Sequence, residues 1–135
     1  MFFKKKSNGV DAFMEGTLVP LEKVNDPVFA QKMMGDGFAI EPTSGAVVSP
    51  VDGELTMVFH TKHAVGITTN EGVEVLLHIG INTVELDGEG FEILVEQGSK
   101  VKKGDKLMNV DLDLVKKNGK ETTSVYFLIK RLICL

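Results

Sequence analysis

The chain has 135 residues, a length that suits one compact domain able to bury a core without disulfides. Hydrophobic residues make up 43% and charged residues 25%, the balance of a globular protein rather than a disordered or fibrous one. A net charge of −4 argues against nucleic acid as the partner, because phosphate contacts need a Lys/Arg-rich face, and suits a partner that presents a basic surface.

In chain order, residues 1–12 read as a polar, loosely ordered leader, and residues 13–135 as one domain. The basic opening Met1 to Lys6 is followed by no long apolar run, so it is not a secretory signal. A short helix is expected from Asp26 to Met34, with Asp26 as N-cap and Pro27 as the first helical residue. Short runs rich in Val, Ile, Leu, Phe and Thr predict strands at 37–41, 46–49, 54–59, 64–68, 73–79, 91–95 and 107–111. Turn signals separate them: Pro42 to Gly45, Pro50 to Gly53, Asn70 to Gly72, Asp87 to Gly90, Gln97-Gly98, Lys103 to Asp105 and Asn118-Gly119. The segment Gly98 to Leu107 reads as a β-corner or hairpin. Strands at this spacing predict an all-β, antiparallel sandwich or barrel-like fold with only short helical turns. No stretch approaches the roughly 20 apolar residues that span a bilayer, so no direct membrane insertion is expected. The single cysteine, Cys134, excludes an internal disulfide framework and fits a reducing, cytoplasmic setting.

The histidines are His60, His63 and His78. In the strand 73–79, alternation puts Val73, Val75, Leu77 and Ile79 on the core face and Glu74, Leu76 and His78 on the other. His78 also stands just before Gly80, where another group can approach the backbone closely. A neutral imidazole with one nitrogen protonated offers a lone pair on the other, and can attack phosphorus and carry the group covalently. Antiparallel pairing of 64–70 with 72–78 across the Asn70–Gly72 turn would bring His63 to the same end of the hairpin. There a second imidazole could donate to the phosphoryl oxygens. The simpler alternative is that His78 is an ordinary surface or hydrogen-bonded residue. His60 and His63 form a His-x-x-His whose side chains would face opposite ways on a strand, and no thiol or further histidine completes a zinc set, so no metal is expected. No phosphate-binding G-x-x-x-x-G-K-S/T loop is present.

Three segments together resemble a known family: Val48 to Gly53, Phe59-His-Thr61-Lys-His63-Ala64, and Leu76-Leu-His78-Ile-Gly80-Ile-Asn-Thr83-Val continuing to Phe91. Asp26 to Gly37 and Gly98 to Leu107 extend the likeness, which covers about residues 16–121. The family is the glucose-type IIA domain of the bacterial phosphoenolpyruvate-dependent sugar phosphotransferase system. The resemblance implies an antiparallel β-sandwich. No cofactor is expected, and oligomeric state is open, with a monomer as the default. The resemblance also implies that His78 accepts a phosphoryl group from phosphohistidine on the carrier protein HPr and passes it to a cysteine of a IIB domain, driving sugar uptake. It places the second active-site histidine at His63, held by the hydroxyl of Thr61, and a shallow apolar partner surface at Val28, Phe29, Phe59 and Leu76.

Two departures stand out. The family commonly has Asp where this chain has Asn82, and it continues after Glu121-Thr-Thr with a strand, a polar connection and a final strand. Here the sequence runs Ser124 to Leu135, an atypical tail, so a missing or altered C-terminal strand is expected, with a sheet edge and part of the core uncovered. That leaves an alternative open, a truncated or regulatory IIA-like protein that binds partners with little phosphotransfer. Biotinyl and lipoyl carrier domains use similar Gly-rich turns but need a lysine displayed on a tight hairpin. Barrel-type zinc peptidases need a His-x-His pair, which is absent.

Overall fold

The computed structural model describes residues 10–31 and 36–129. Ten strands and two short helices lie along it: β1 (Gly16–Val19), α1 (Pro27–Ala30), β2 (Gly37–Pro42), β3 (Ala46–Val48), β4 (Gly53–Val58), β5 (Ala64–Thr69), β6 (Glu74–His78), β7 (Phe91–Ile93), β8 (Lys100–Val101), β9 (Lys106–Val110), α2 (Leu112–Lys117) and β10 (Ser124–Leu128). Short 3-10 turns occupy Leu21–Lys23 and Thr83–Leu86. The seven strands expected from the sequence are all present, with ends that shift by one or two residues. Three elements went unread, β1, α2 and β10, while β8 and the start of β9 fall in the segment read as a β-corner or hairpin and lie in different sheets.

The strands form two antiparallel sheets, one of seven strands in the order β1-β2-β10-β6-β5-β4-β8 and one of three in the order β3-β9-β7. The main core joins them. Ile40, Leu55, Val65, Ile67, Val75, Leu77 and Tyr126 of the large sheet cluster with Val47, Phe91, Leu107, Met108 and Val110 of the small one. Alternation drives this layering, since side chains of one parity along each strand share a face. A second cluster covers the opposite face of the large sheet. There Leu21, Val24 and Phe29 from the segment between β1 and β2 pack on Ala39, Ile81, Val125 and Phe127.

The expected helix is real but short. Asp26 caps it, its carboxylate accepting the Val28 N–H at 2.9 Å, Pro27 stands at its first turn, and the helical residues end at Ala30. Residues 32–34 of the expected span lie outside the described residues, as do residues 1–9 of the leader and 130–135 of the tail. Val73 departs from the expected face. Strand pairing begins at Glu74, so Val73 belongs to the turn and is 44% exposed.

Ser124–Leu128 is an interior strand. It pairs with β2 through Val125↔Ala39 and with β6 through Val125↔His78. The edges of the large sheet are β1 and β8, so the described part of the tail completes the middle of the sheet.

Candidate functional site

The site is assembled at one end of the β5–β6 hairpin. Ala64 is the register partner of His78, and the Ile79 N–H donates to the His63 carbonyl at 2.8 Å, so the two histidines meet where the hairpin opens. Their rings stand 4.8 Å apart, nearly perpendicular at 82°. This is the pairing that the Asn70–Gly72 turn predicted.

His78 sits on the outer face of the large sheet, half-buried, while its neighbours Val75 and Leu77 fill the core. Its Nδ1 lies 2.8 Å from the Gly80 carbonyl oxygen. A carbonyl can only accept, so Nδ1 carries the proton and the lone pair is left on Nε2. Gly80 is required here: its φ is +80°, and a Cβ would come within 2.5 Å of Thr83 Cγ2. Beneath the imidazole, Phe29 packs edge-on at 5.0 Å, and Phe127 supports Phe29 at 5.7 Å.

His63 belongs to the loop between β4 and β5. That loop is closed by the Phe59 N–H to the Ala64 carbonyl (3.0 Å) and the Lys62 N–H to the Phe59 carbonyl (2.7 Å), with Lys62 at a φ of +65°. The turn puts Thr61 Oγ1 2.7 Å from His63 Nδ1. When the hydroxyl donates in this pair, the His63 proton resides on Nε2, free to reach a neighbouring oxygen. Phe59 packs edge-on against the His63 ring at 5.6 Å.

Burial lowers the pKa of His63 from 6.5 to about 4, and the proximity of His78 adds to the shift, since two imidazolium rings in contact repel. Burial also lowers the pKa of His78, opposed by its bond to Gly80 and by the charge of Asp26. Both rings are therefore held neutral, the state a nucleophilic imidazole needs.

The sequence-predicted residues fall as follows. His78, His63 and Thr61 form one connected group. Phe29 is buried under His78, Phe59 is 36% exposed beside His63, and Leu76 is half-buried against the outer cluster. Phe59, Leu76, Met57 and Ile129 line a shallow depression of about 290 Å³. Val28 is exposed on α1, next to Phe29. Asn82 is exposed at a φ of +62°, a conformation that Asn tolerates better than most residues. His60 is exposed on the same loop. Sequence reasoning missed two contributions: Asp26 acts on His78 electrostatically as well as capping a helix, and the Gly80 carbonyl fixes the His78 tautomer. The second was partly signalled by a glycine two residues after a histidine at a strand end.

Among the described residues there is no cluster of three or more His, Cys, Asp or Glu side chains that could hold a metal ion. Nor is any helix among them long and apolar enough to cross a membrane.

Comparison with known proteins identifies the family. The family model described as phosphoenolpyruvate-dependent sugar phosphotransferase system, EIIA 1, matches residues 8–131. The glucose-specific EIIA component of Bacillus cereus is 51% identical over 119 residues, covering 88% of this chain and 72% of that protein. The glucose-specific EIICBA component of Streptococcus pneumoniae is 52% identical over 123 residues, covering 91% of this chain but 17% of that longer protein. Among solved structures, the glucose permease IIA from Mycoplasma capricolum superposes with a TM-score of 0.88 at 47% identity, covering 97% of this chain and 85% of that one. With its antiparallel sandwich and its match along nearly the whole length, this chain belongs to the EIIA 1 family of the phosphoenolpyruvate-dependent sugar phosphotransferase system, the family of phosphoryl carriers.

Proposed function

We propose that the chain carries the phosphoryl group on Nε2 of His78, taking it from phosphohistidine on HPr and giving it to a cysteine of a IIB domain. The observation that carries this reading is the pairing of two neutral imidazoles 4.8 Å apart, one with its Nδ1 proton committed to the Gly80 carbonyl. The Nε2 lone pair of His78 attacks phosphorus in line. The donor's N–P bond breaks, and its electron pair returns to the donor imidazole. The Nδ1 proton stays shared with Gly80, which eases the positive charge that builds on the ring. His63, with Nδ1 accepting from the Thr61 hydroxyl, donates its Nε2 proton as a hydrogen bond to an equatorial oxygen. In the second transfer a cysteine thiolate attacks, an S–P bond forms, and the electron pair of the N–P bond returns to Nε2 of His78.

Apolar side chains around the two rings suit transient docking that excludes water during transfer. Val28, Phe59 and Leu76 offer that surface, and Phe29 supports His78 from below. A carrier fed from phosphoenolpyruvate works in the cytoplasm. The glucose-specific names of the relatives support glucose as the sugar served, and the fusion of an EIIA region to EIIC and EIIB in the Streptococcus protein supports a IIB domain as acceptor.

The test is phosphorylation of the purified chain by phosphoenolpyruvate, enzyme I and HPr, beside His78→Ala. An acid-labile, base-stable phosphate on the wild type, absent from the variant, is expected. A folded wild-type chain that takes no label would overturn the reading.

A further inference from the structure

Resting on the reading of His78 as the nucleophile, we propose that Ser124 is a positioning residue for that histidine, acting through the Gly80 backbone.

Ser124 opens β10 and is fully buried, 44 residues along the chain from Gly80. Its Oγ accepts the Gly80 N–H at 3.2 Å and donates to the Thr122 carbonyl at 2.9 Å, so both hydrogen-bonding roles of the hydroxyl are in use. Ser124 is one of several groups that fix the two consecutive peptides around Gly80. The Ile79–Gly80 peptide is held by Thr83 Oγ1 on its carbonyl (2.5 Å) and by Ser124 on its N–H. The Gly80–Ile81 peptide is held at its N–H by the Glu121 carbonyl (3.0 Å) and presents its own carbonyl to His78 Nδ1.

The need for such restraint follows from the glycine. The left-handed φ and the close approach of Thr83 leave no room for a side chain at position 80, and glycine restricts its own backbone least of all residues. The acceptor that selects the His78 tautomer thus sits on the most pliable residue of the site, and its position is imposed by neighbours. If the Gly80 carbonyl drifts, the Nδ1–H tautomer loses its preference, and molecules with the proton on Nε2 have no lone pair for phosphorus. Without the Ser124 hydroxyl, the Gly80 N–H is left buried and unpartnered, which favours that drift.

The test combines ¹⁵N-imidazole NMR with single-turnover phosphorylation by phospho-HPr. In the wild type, His78 should show one tautomer, protonated at Nδ1. In Ser124→Ala, a mixed tautomer population is expected, with the transfer rate reduced roughly fivefold or more and the KM for phospho-HPr unchanged. Ser124→Thr and Ser124→Val are near-isosteric and differ in the hydroxyl, so they carry the same comparison should the alanine variant fail to fold. The threonine variant should show the wild-type tautomer and rate, and the valine variant should not. A wild-type imidazole spectrum in folded Ser124→Ala or Ser124→Val overturns the proposal, as does a lost rate without a tautomer change. Absence of phosphorylation in the wild type would instead strike the carrier reading, while the tautomer comparison would still judge Ser124.

Discussion

At the scale of single residues, burial and hydrogen bonding give the His78 imidazole the protonation state that its proposed role as a nucleophile requires. His78 has its proton fixed by Gly80, and both rings have their charged forms disfavoured. The lowered pKa values have a consequence for stability. The unfolded chain binds a proton at each histidine as the pH falls below 6.5, whereas His63 in the folded chain stays neutral down to about 4. The native state thus binds fewer protons in this window, so this contribution to stability is fully present above pH 6.5 and is lost as the pH falls toward 4. His63 alone should contribute a slope of up to about 1.4 kcal/mol per pH unit there. Urea unfolding of the wild type and His63→Gln between pH 5 and 7 would measure it. The variant should show the shallower pH dependence, and equal slopes would remove His63 from the account.

At the scale of elements, β10 matters more than its place near the end of the sequence suggests. It lies between β2 and β6, contributes Tyr126 to the main core and Val125 and Phe127 to the outer cluster. Phe127 supports Phe29, which in turn packs against His78, so the strand reaches the site from behind. Truncating Phe127 to alanine should cost about 3–5 kcal/mol of folding stability, as for other buried phenylalanines. It should also slow phosphoryl transfer in the protein that remains folded, by loosening the support of His78. Chemical denaturation and single-turnover labelling would check the two effects separately, and loss of stability with an unchanged rate would confine Phe127 to the core.

At the scale of the whole molecule, one core holds both sheets together while a smaller cluster on the outer face of the large sheet carries the site. The sandwich thus supports from behind a site that faces outward, as the proposed carrier role requires. The net charge of −4 bears on the encounter. Association with a basic carrier should be steered electrostatically, and the second-order rate of phosphorylation should fall as ionic strength rises from about 0.05 to 0.5 M. Stopped-flow or quench-flow labelling across that range would measure this, with a flat profile counting against electrostatic steering.

Much of this was legible in the sequence because it rests on local rules. Alternation along 73–79 assigned His78 to the face opposite Val75 and Leu77, and the Asn70–Gly72 turn set the register that brings His63 beside it. Asp26-Pro27 announced the start of α1, because capping is a short-range affair. The local rules failed at Val73, where the pairing starts one residue later than the pattern suggests. They were also silent on β1, whose residues are mostly exposed and carry little alternation, and the corner or hairpin read at Gly98 to Leu107 did not delimit β8, whose two residues pair with β4. What only the tertiary structure decided is long-range: the insertion of β10 between β2 and β6, the Phe127–Phe29–His78 stack, and the Ser124 hydroxyl on the Gly80 peptide. Each joins residues far apart in the chain. Their proximity comes from burial and strand pairing summed over the whole domain, and no spacing within the sequence encodes it.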